Sequence, residues 1–276
     1  MMKDTFMGRS IYPVKKRTDV PIGSRVFPVK AGRSRLRSTV FKDVEEAFRE
    51  LFGWPRDLFD GCCCKLLESY AGFVQLIPEH QDLPMQSMLG NSLKRSYVVT
   101  KEFMALMQIK EGKRFLTSPR GSRLLYAVFS ASLLFRVAKV IADKQIVLCD
   151  EKGQFICHWR YFEHSMMHCG HYFKMRYGGD MPGHVVADMT VLLAKQLMPP
   201  LGFAWLVEDL ALLGHWFKAL NIHDELFGVH QMGLDVESLM RQSEFDFTIE
   251  SDHFTADATL IGEQFWEWML DQMSSL

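Results

Sequence analysis

Three histidines near the middle of the chain have a spacing that could hold a metal ion. His164, His168 and His171 occur at i, i+4 and i+7, so a helical segment would place them on one face. Histidines on one face of a helix form zinc sites in known motifs. However, Gly170 weakens a continuous helix, and the outer two histidines are two turns apart. Zinc is therefore the less favoured interpretation, and exposed or hydrogen-bonded histidines are the favoured one.

A second group with possible chemistry is the run Cys62-Cys63-Cys64. Metal and redox sites need thiolates that converge, and adjacent cysteines do so poorly. Small buried thiols otherwise behave like apolar side chains. The triplet therefore predicts a buried stretch of helix. Six cysteines without a disulfide-like spacing also favour a reducing compartment, and we expect a cytoplasmic protein.

Helices must position these side chains, because apolar residues recur at spacings of three and four through most of the chain. The longest such stretch is residues 118–142. Ser118 suits a helix N-cap, and Pro119 suits the first helical position. Arg136 interrupts the apolar face one turn after Leu133, where an aliphatic side chain or a functional group would be expected.

The residues around Arg136 carry a resemblance to a known family. Residues 133–139, LLFRVAK, resemble the Leu-Leu-His-Asp-(Ile/Val)-Gly-Lys core of HD-superfamily metal-dependent phosphohydrolases. The longer run resembles the N-terminal HD-type domain of MobH-class conjugative relaxases. In that class a hairpin, an aromatic helix and an Arg…His stretch ending in Pro-Pro follow the core. Their counterparts here are residues 145–158, residues 159–177, and Arg176, His184 and Pro199-Pro200.

The positions that matter for the family's chemistry are changed. Phe135 and Arg136 stand at the paired His-Asp positions, and Asn91 stands at an upstream ligand position, within residues 78–93; His184 is retained. Phenylalanine has no lone pair to offer a metal, and arginine carries donors only. The resemblance, which spans residues 40–220, therefore implies an HD-type fold without metal-dependent hydrolysis and without a cofactor.

The same resemblance implies a setting. It predicts a non-catalytic adaptor or scaffold in a type IV secretion or conjugation coupling assembly, with protein partners from that secretion or DNA-transfer machine. The alternative is a divergent metal-dependent phosphohydrolase or nuclease. Its ligands would come from His80, Asp82, His164, His168, His184 and the pair His223-Asp224.

Charge is distributed unevenly along a chain whose net charge is −1. Residues 1–43 hold 11 Lys+Arg against 3 Asp+Glu, whereas the remaining residues hold 21 against 30. The basic segment could lie on an acidic partner such as nucleic acid, or on its own acidic body. No nucleic-acid motif accompanies it, so nucleic acid is not an expected partner. No run of 18 apolar residues predicts a membrane span.

The predicted fold is mainly α: an HD-like helical bundle with a small β-hairpin and a minor C-terminal α+β extension. Three regions are expected: a basic extended arm (1–39), a degenerate HD-like domain (40–220), and an extension with a Trp-bearing helix (221–276). Helices are predicted at residues 40–52, 57–77, 88–110, 118–142, 159–177, 184–197 and 204–220, and hairpin strands at 145–149 and 154–158.

Aromatic side chains are expected at contacts with partners or in a homodimer, because aromatics are enriched at interface cores. The predicted interface residues are Tyr12, Phe27, Trp159, Tyr172, Phe173, Trp266 and Trp268.

Overall fold

The computed structural model describes residues 25–163, 165–168, 170–179 and 181–221. Predictions for residues 1–24 and 222–276, including Tyr12, the C-terminal helix and its tryptophans, lie outside these residues. The helices are α1 (Gly32–Leu36), α2 (Val44–Phe52), α3 (Arg56–Phe59), α4 (Lys65–Val74), α5 (Ser87–Lys110), α6 (Lys113–Leu116), α7 (Pro119–Leu134), α8 (Lys139–Ala142), α9 (Gly183–Leu197), α10 (Pro200–Val207) and α11 (Leu210–Leu220). The strands are β1 (Phe27–Pro28), β2 (Lys144–Cys149), β3 (Phe155–His158) and β4 (Tyr172–Tyr177).

The centre of the fold is the pair α5 and α7, which pack along most of their lengths. Small polar residues line the contact, so the two backbones approach closely. Ser96 Oγ donates to the Phe129 carbonyl at 3.0 Å, and Ser132 Oγ donates to the Val128 carbonyl at 2.8 Å. These hydroxyls satisfy their hydrogen bonds on backbone carbonyls, as buried polar groups must. The mainly α prediction is therefore confirmed for this part of the chain.

Three predicted helices are interrupted in the structure. The helix predicted at 118–142 begins as expected, because Ser118 Oγ accepts a hydrogen bond from the Gly121 amide at 3.1 Å. It ends at Leu134, and α8 follows after a short break. The helix predicted at 57–77 contains a π-helical turn, Asp60–Cys64, between α3 and α4. The helix predicted at 204–220 is two helices, α10 and α11, and Asp209 caps the second by accepting from the Leu212 amide.

The small sheet is larger than the predicted hairpin. The hairpin β2–β3 is confirmed, and β4 and β1 extend it to an antiparallel sheet of order β1–β4–β2–β3. The helix predicted at 159–177 is wrong: the segment has a short 3-10 turn at Met166–His168 and then strand β4. β4 forms because Phe173 is fully buried beside Phe27, with ring centroids 5.3 Å apart, while it pairs with Leu148 of β2.

The described part of the basic arm docks on the chain's own body. The Arg35 guanidinium donates to the Pro28 carbonyl at 2.7 Å and to Gln75 Oε1 at 3.3 Å. Gln75 also exchanges hydrogen bonds with the Lys30 backbone. Gly32 lies so close to α4 that a Cβ would be 1.7 Å from the Glu68 carbonyl oxygen. Residues 25–39 are thus part of the folded body, and a boundary at residue 39 does not separate them from it.

Among the described residues, the segment Pro119–Ala142 is long and apolar enough to cross a membrane by length and composition. In this fold 83% of its most apolar window is buried inside the protein. A core helix of a globular domain has these properties, and α7 is packed against α5, α6, α10 and α11. Length and composition are therefore weak evidence for a span here.

Candidate functional site

The positions that the resemblance assigns to a His-Asp pair lie at the break between α7 and α8. Phe135 is the C-cap of α7, with φ −52° and ψ 131°, and its side chain is fully buried. Arg136 follows with a φ of +56°, which is uncommon for a residue with a Cβ. The carbon at the centre of its guanidinium lies 5.1 Å from the Phe135 ring centroid. The helix therefore ends at these two residues.

A second arginine, which the sequence reasoning missed, occupies the interior beside this break. Arg95 on α5 is only 2% exposed. Its Nε donates to the Ser132 carbonyl at 2.9 Å, and its Nη2 donates to the Phe135 carbonyl at 3.2 Å and to Ser92 Oγ at 3.0 Å. Its guanidinium also lies 5.4 Å from the Phe135 ring centroid. Arg95 thus ties α5 to the end of α7.

The end of α7 explains how this buried cation is tolerated. The last carbonyls of a helix lack intrahelical partners and carry the negative end of the helix dipole. Arg95 donates to two carbonyls at that end, those of Ser132 and Phe135, and so supplies both hydrogen bonds and positive charge. A buried charge would otherwise be strongly unfavourable. Arg95 therefore caps α7 from the neighbouring helix.

Further polar contacts involve residues of α5 that lie about one turn before Arg95. Asn91, one turn earlier on α5, is buried and donates from Nδ2 to Glu79 Oε2 at 2.8 Å. The Glu79 carbonyl accepts from Lys144 Nζ at 3.2 Å, and Lys144 also bonds Asp143 Oδ1 at 2.5 Å. The Tyr70 hydroxyl donates to Ser92 Oγ at 2.6 Å. Burial raises the pKa of Tyr70, so that hydroxyl is protonated at neutral pH.

Of the three positions that the resemblance assigns to metal ligands, Phe135 contacts Arg95 directly. Arg136 lies on the Phe135 ring, and Asn91 precedes Arg95 by one turn of α5. An HD-type centre holds a divalent cation with imidazole and carboxylate ligands, and that cation activates water. The side chains at these positions are an amide, a phenyl ring and a guanidinium. The amide NH₂ is engaged with Glu79, and the other two have no ligand atom for a metal.

The other proposed ligands do not assemble around a metal in the described residues. His184 is exposed at the start of α9, and His80 and Asp82 are exposed in the loop before α5. Neither they nor His168 belongs to any described group of three ligand atoms within 4.8 Å of one another. His164 and the pair His223-Asp224 lie outside the described residues. No described geometry therefore favours the phosphohydrolase alternative.

The predicted three-histidine face does not form, because its segment is not helical. His168 ends the 3-10 turn, and His171 precedes β4, where its carbonyl accepts from the Val29 amide at 2.8 Å. Both histidines line a surface cleft of about 620 Å³ at the hairpin end, together with Asp150 and Glu151. The cleft brings two of the three histidines together, on a loop and a strand end rather than on a helix.

The cysteine triplet forms the interior of the π-helical turn. Cys62, Cys63 and Cys64 are all buried and form no disulfide. Burial raises the pKa of the Cys62 thiol to about 11, and burial with nearby carboxylates raises that of Cys64 to about 12. These thiols are therefore protonated at neutral pH and behave as the apolar side chains that the sequence predicts.

One described cluster does have metal-ligating atoms in reach of one another: Glu45, Asp60 and Cys64, all within 4.8 Å. Arg49 already occupies it. Its Nη2 donates to Glu45 Oε1 at 3.1 Å and to Asp60 Oδ1 at 3.0 Å. Because the guanidinium neutralises both carboxylates, the cluster is explained as an ion-pair network that ties α2 to the π-helical turn.

The predicted interface residues within the described chain fall into two groups. Phe27, Trp159 and Phe173 are buried in the chain's own core, so their prediction as docking residues is wrong. Trp159 packs on Phe73 of α4, with ring centroids 4.9 Å apart, which shows why its large side chain is needed inside. Tyr172 is half-buried and lines the cleft beside the hairpin.

No protein-family model and no curated protein sequence matches this chain.

Proposed function

We propose that this protein is a non-catalytic adaptor built on a retired HD-type fold. The observation that supports this most is the buried Arg95 guanidinium, bonded to the Ser132 and Phe135 carbonyls. An HD-type centre holds a divalent metal cation, whereas the cation buried beside Phe135 is a guanidinium that belongs to the chain itself. The centre then contributes stability and shape rather than an activated water.

We propose further that the adaptor acts in a type IV secretion or conjugation coupling assembly. This setting comes from the resemblance to the MobH-class relaxases. A coupling-complex accessory subunit of the type IVB kind, such as DotZ, fits this proposal.

The exposed edge strand β3 supports the proposal that this protein binds other proteins. The sheet order places β3 at an edge, with no further described strand beyond it. Two consecutive large apolar side chains on β3, Phe155 and Ile156, are 57% and 50% exposed. Proteins usually protect such edges, because unpaired backbone groups and apolar side chains attract other strands. An extended partner segment can add to β3 and cover both side chains.

Metal analysis of the purified protein tests the proposed absence of metal-dependent hydrolysis. We expect no stoichiometric iron, manganese or zinc, and no loss of folded structure on treatment with a chelator. Stoichiometric metal whose removal unfolds the protein, together with phosphodiester hydrolysis abolished by His184→Ala, would support the hydrolase alternative instead.

Direct binding tests the setting. The purified chain and the coupling ATPase of the native host should associate with a dissociation constant in the low micromolar range, measured by sedimentation. The double variant Phe155→Ser/Ile156→Ser should weaken this association at least about tenfold, a loss of roughly 1.4 kcal/mol. Ile109→Ser, which changes an 82% exposed side chain on α5, serves as the matched control. Absence of binding by the unmodified chain would contradict the proposed setting.

A further inference from the structure

The outward surface of α10 and α11 is unusually apolar. Leu201, Val207 and Leu210 are 56%, 39% and 73% exposed, and Val207 and Leu210 flank the short break between the two helices. Leu213 and Phe217, one and two turns after Leu210, are half-buried. A surface helix ordinarily turns polar residues toward solvent. We call the surface formed by these five residues the α10–α11 face, and we expect another segment or molecule to pack against it.

The inner sides of α10 and α11 already pack against the core. The α10–α11 face is therefore not the side that these helices turn toward the core. Trp216 is fully buried and donates from Nε1 to Ser130 Oγ of α7 at 2.9 Å. Gly202 of α10 sits against the buried Tyr126 of α7, where a Cβ would lie 1.9 Å from the hydroxyl oxygen. Two helices fixed in this way cannot rotate to bury their outer apolar side chains.

We propose that residues 222–276 of this same chain cover the α10–α11 face. They leave α11 directly at Asn221, so 55 residues are available with no gap to bridge. Their sequence ends in a cluster of large side chains spaced for one side of a helix: Phe265, Trp266, Trp268 and Met269. Such aromatic side chains bury a large apolar area when they dock.

Charge favours this occupant over a lipid surface. Residues 222–276 contain 12 Asp+Glu and one Arg, so the segment would be repelled by an anionic membrane. The helices beside the face present exposed lysines, Lys195 on α9 and Lys218 on α11. An acidic segment docked there gains attraction from both, although exposed pairs contribute modestly.

Cross-linking of the full-length chain tests the proposal. Ala211→Cys and Glu267→Cys, which flank the docking side chains, are introduced together in a Cys157→Ser/Cys169→Ser background, because the buried triplet and the buried Cys149 should not react. A short bismaleimide should join the two new thiols within one chain, at a yield independent of protein concentration. Phe155→Cys with Glu267→Cys is the matched control and should give little cross-link. Cross-linked dimers whose yield rises with concentration would instead assign the face to a second copy and overturn the proposal.

Hydrogen exchange provides a second, independent test, in which the unmodified chain is compared with one double variant. In the double variant Trp266→Ser/Trp268→Ser, the α11 amides should exchange at least about tenfold faster, while the α5 amides should not change. Unchanged α11 exchange would contradict the proposal, as would flotation of the unmodified protein with phosphatidylglycerol vesicles that Leu210→Asp abolishes. The outcome of these two experiments does not depend on whether the protein binds the coupling ATPase, so the two proposals are tested separately.

Discussion

The Nη2 atom of Arg95 lies 3.2 Å from the carbonyl oxygen of Phe135, and the guanidinium lies 5.4 Å from the Phe135 ring centroid. Arg95 thus contacts both the backbone carbonyl and the side-chain ring of Phe135. The contact joins the middle of α5 to the break after α7. The Phe135 ring, which the resemblance aligns with a ligand position, therefore forms part of the surroundings of the buried guanidinium.

Replacement of Arg95 by methionine should destabilise the fold. The Ser132 and Phe135 carbonyls would lose their donor in a buried site, at about 1–3 kcal/mol each, partly offset because no charge remains buried. We expect a net loss of about 2 kcal/mol in the free energy of unfolding, measured by urea denaturation. Arg120→Met, on an exposed position of α7, should change it by less than about 0.5 kcal/mol. An equal effect of the two variants would contradict the capping role of Arg95.

Replacement of Gly32 by alanine should loosen the docked arm. The new Cβ would lie 1.7 Å from the Glu68 carbonyl oxygen, so α1 must move away from α4. Overpacking of this kind destabilises by about 1–3 kcal/mol. Limited proteolysis should then cut within residues 25–39 faster than in the unmodified protein. Gly183→Ala, which meets nothing within 4 Å, is the control, and equal cleavage rates in the two variants would argue against a docked arm.

The thiols of the cysteine triplet should be unreactive until the pH is high. The pKa values of Cys62 and Cys64 are raised to about 11 and about 12 in the folded chain, above their ordinary value of 9.0. The protonated thiols therefore stabilise the fold fully below pH 9, and this contribution is lost as the pH rises through 11 and 12. At pH 8, iodoacetamide should label Cys157, which is half-buried, well before the triplet.

Unfolding experiments provide the control for that pH dependence. The free energy of unfolding should fall between pH 9 and pH 11, and it should fall less in the double variant Cys62→Ala/Cys64→Ala. Rapid labelling of the triplet at pH 8 in the folded protein would show that the thiols are neither buried nor protonated as described.

Arg49 should keep divalent metals out of the Glu45–Asp60–Cys64 cluster. Its guanidinium bonds both carboxylates, so a cation must displace it before ligating them. Titration calorimetry with zinc should therefore show binding at this cluster in Arg49→Gln but not in Arg49→Lys, which retains the charge. Binding that is lost on Cys64→Ser would assign it to the cluster. Zinc binding by the unmodified protein with the same Cys64 dependence would contradict the role given to Arg49.

Local signals in the sequence decided much of the helical framework. The Ser118-Pro119 start of α7 was predictable because an N-cap and an N1 proline act through neighbouring backbone groups alone. The bounds of α5 and α9 and the β2–β3 hairpin were predictable for a similar reason, since apolar periodicity and a tight turn are short-range properties. Burial of the cysteine triplet also followed from residue type.

Tertiary contacts decided the rest. The segment after β3 has the histidine spacing of a helix, yet the free edge of β2 and the partner Phe27 make Phe173 more favourable in a strand. Arg95 was not among the predicted site residues, because no sequence pattern reveals that its guanidinium meets helix carbonyls 37 and 40 residues away. Residue type alone shows that the side chains of Phe135 and Arg136 cannot ligate a metal. The burial of Arg95, in contrast, follows only from the packing of α5 against the end of α7.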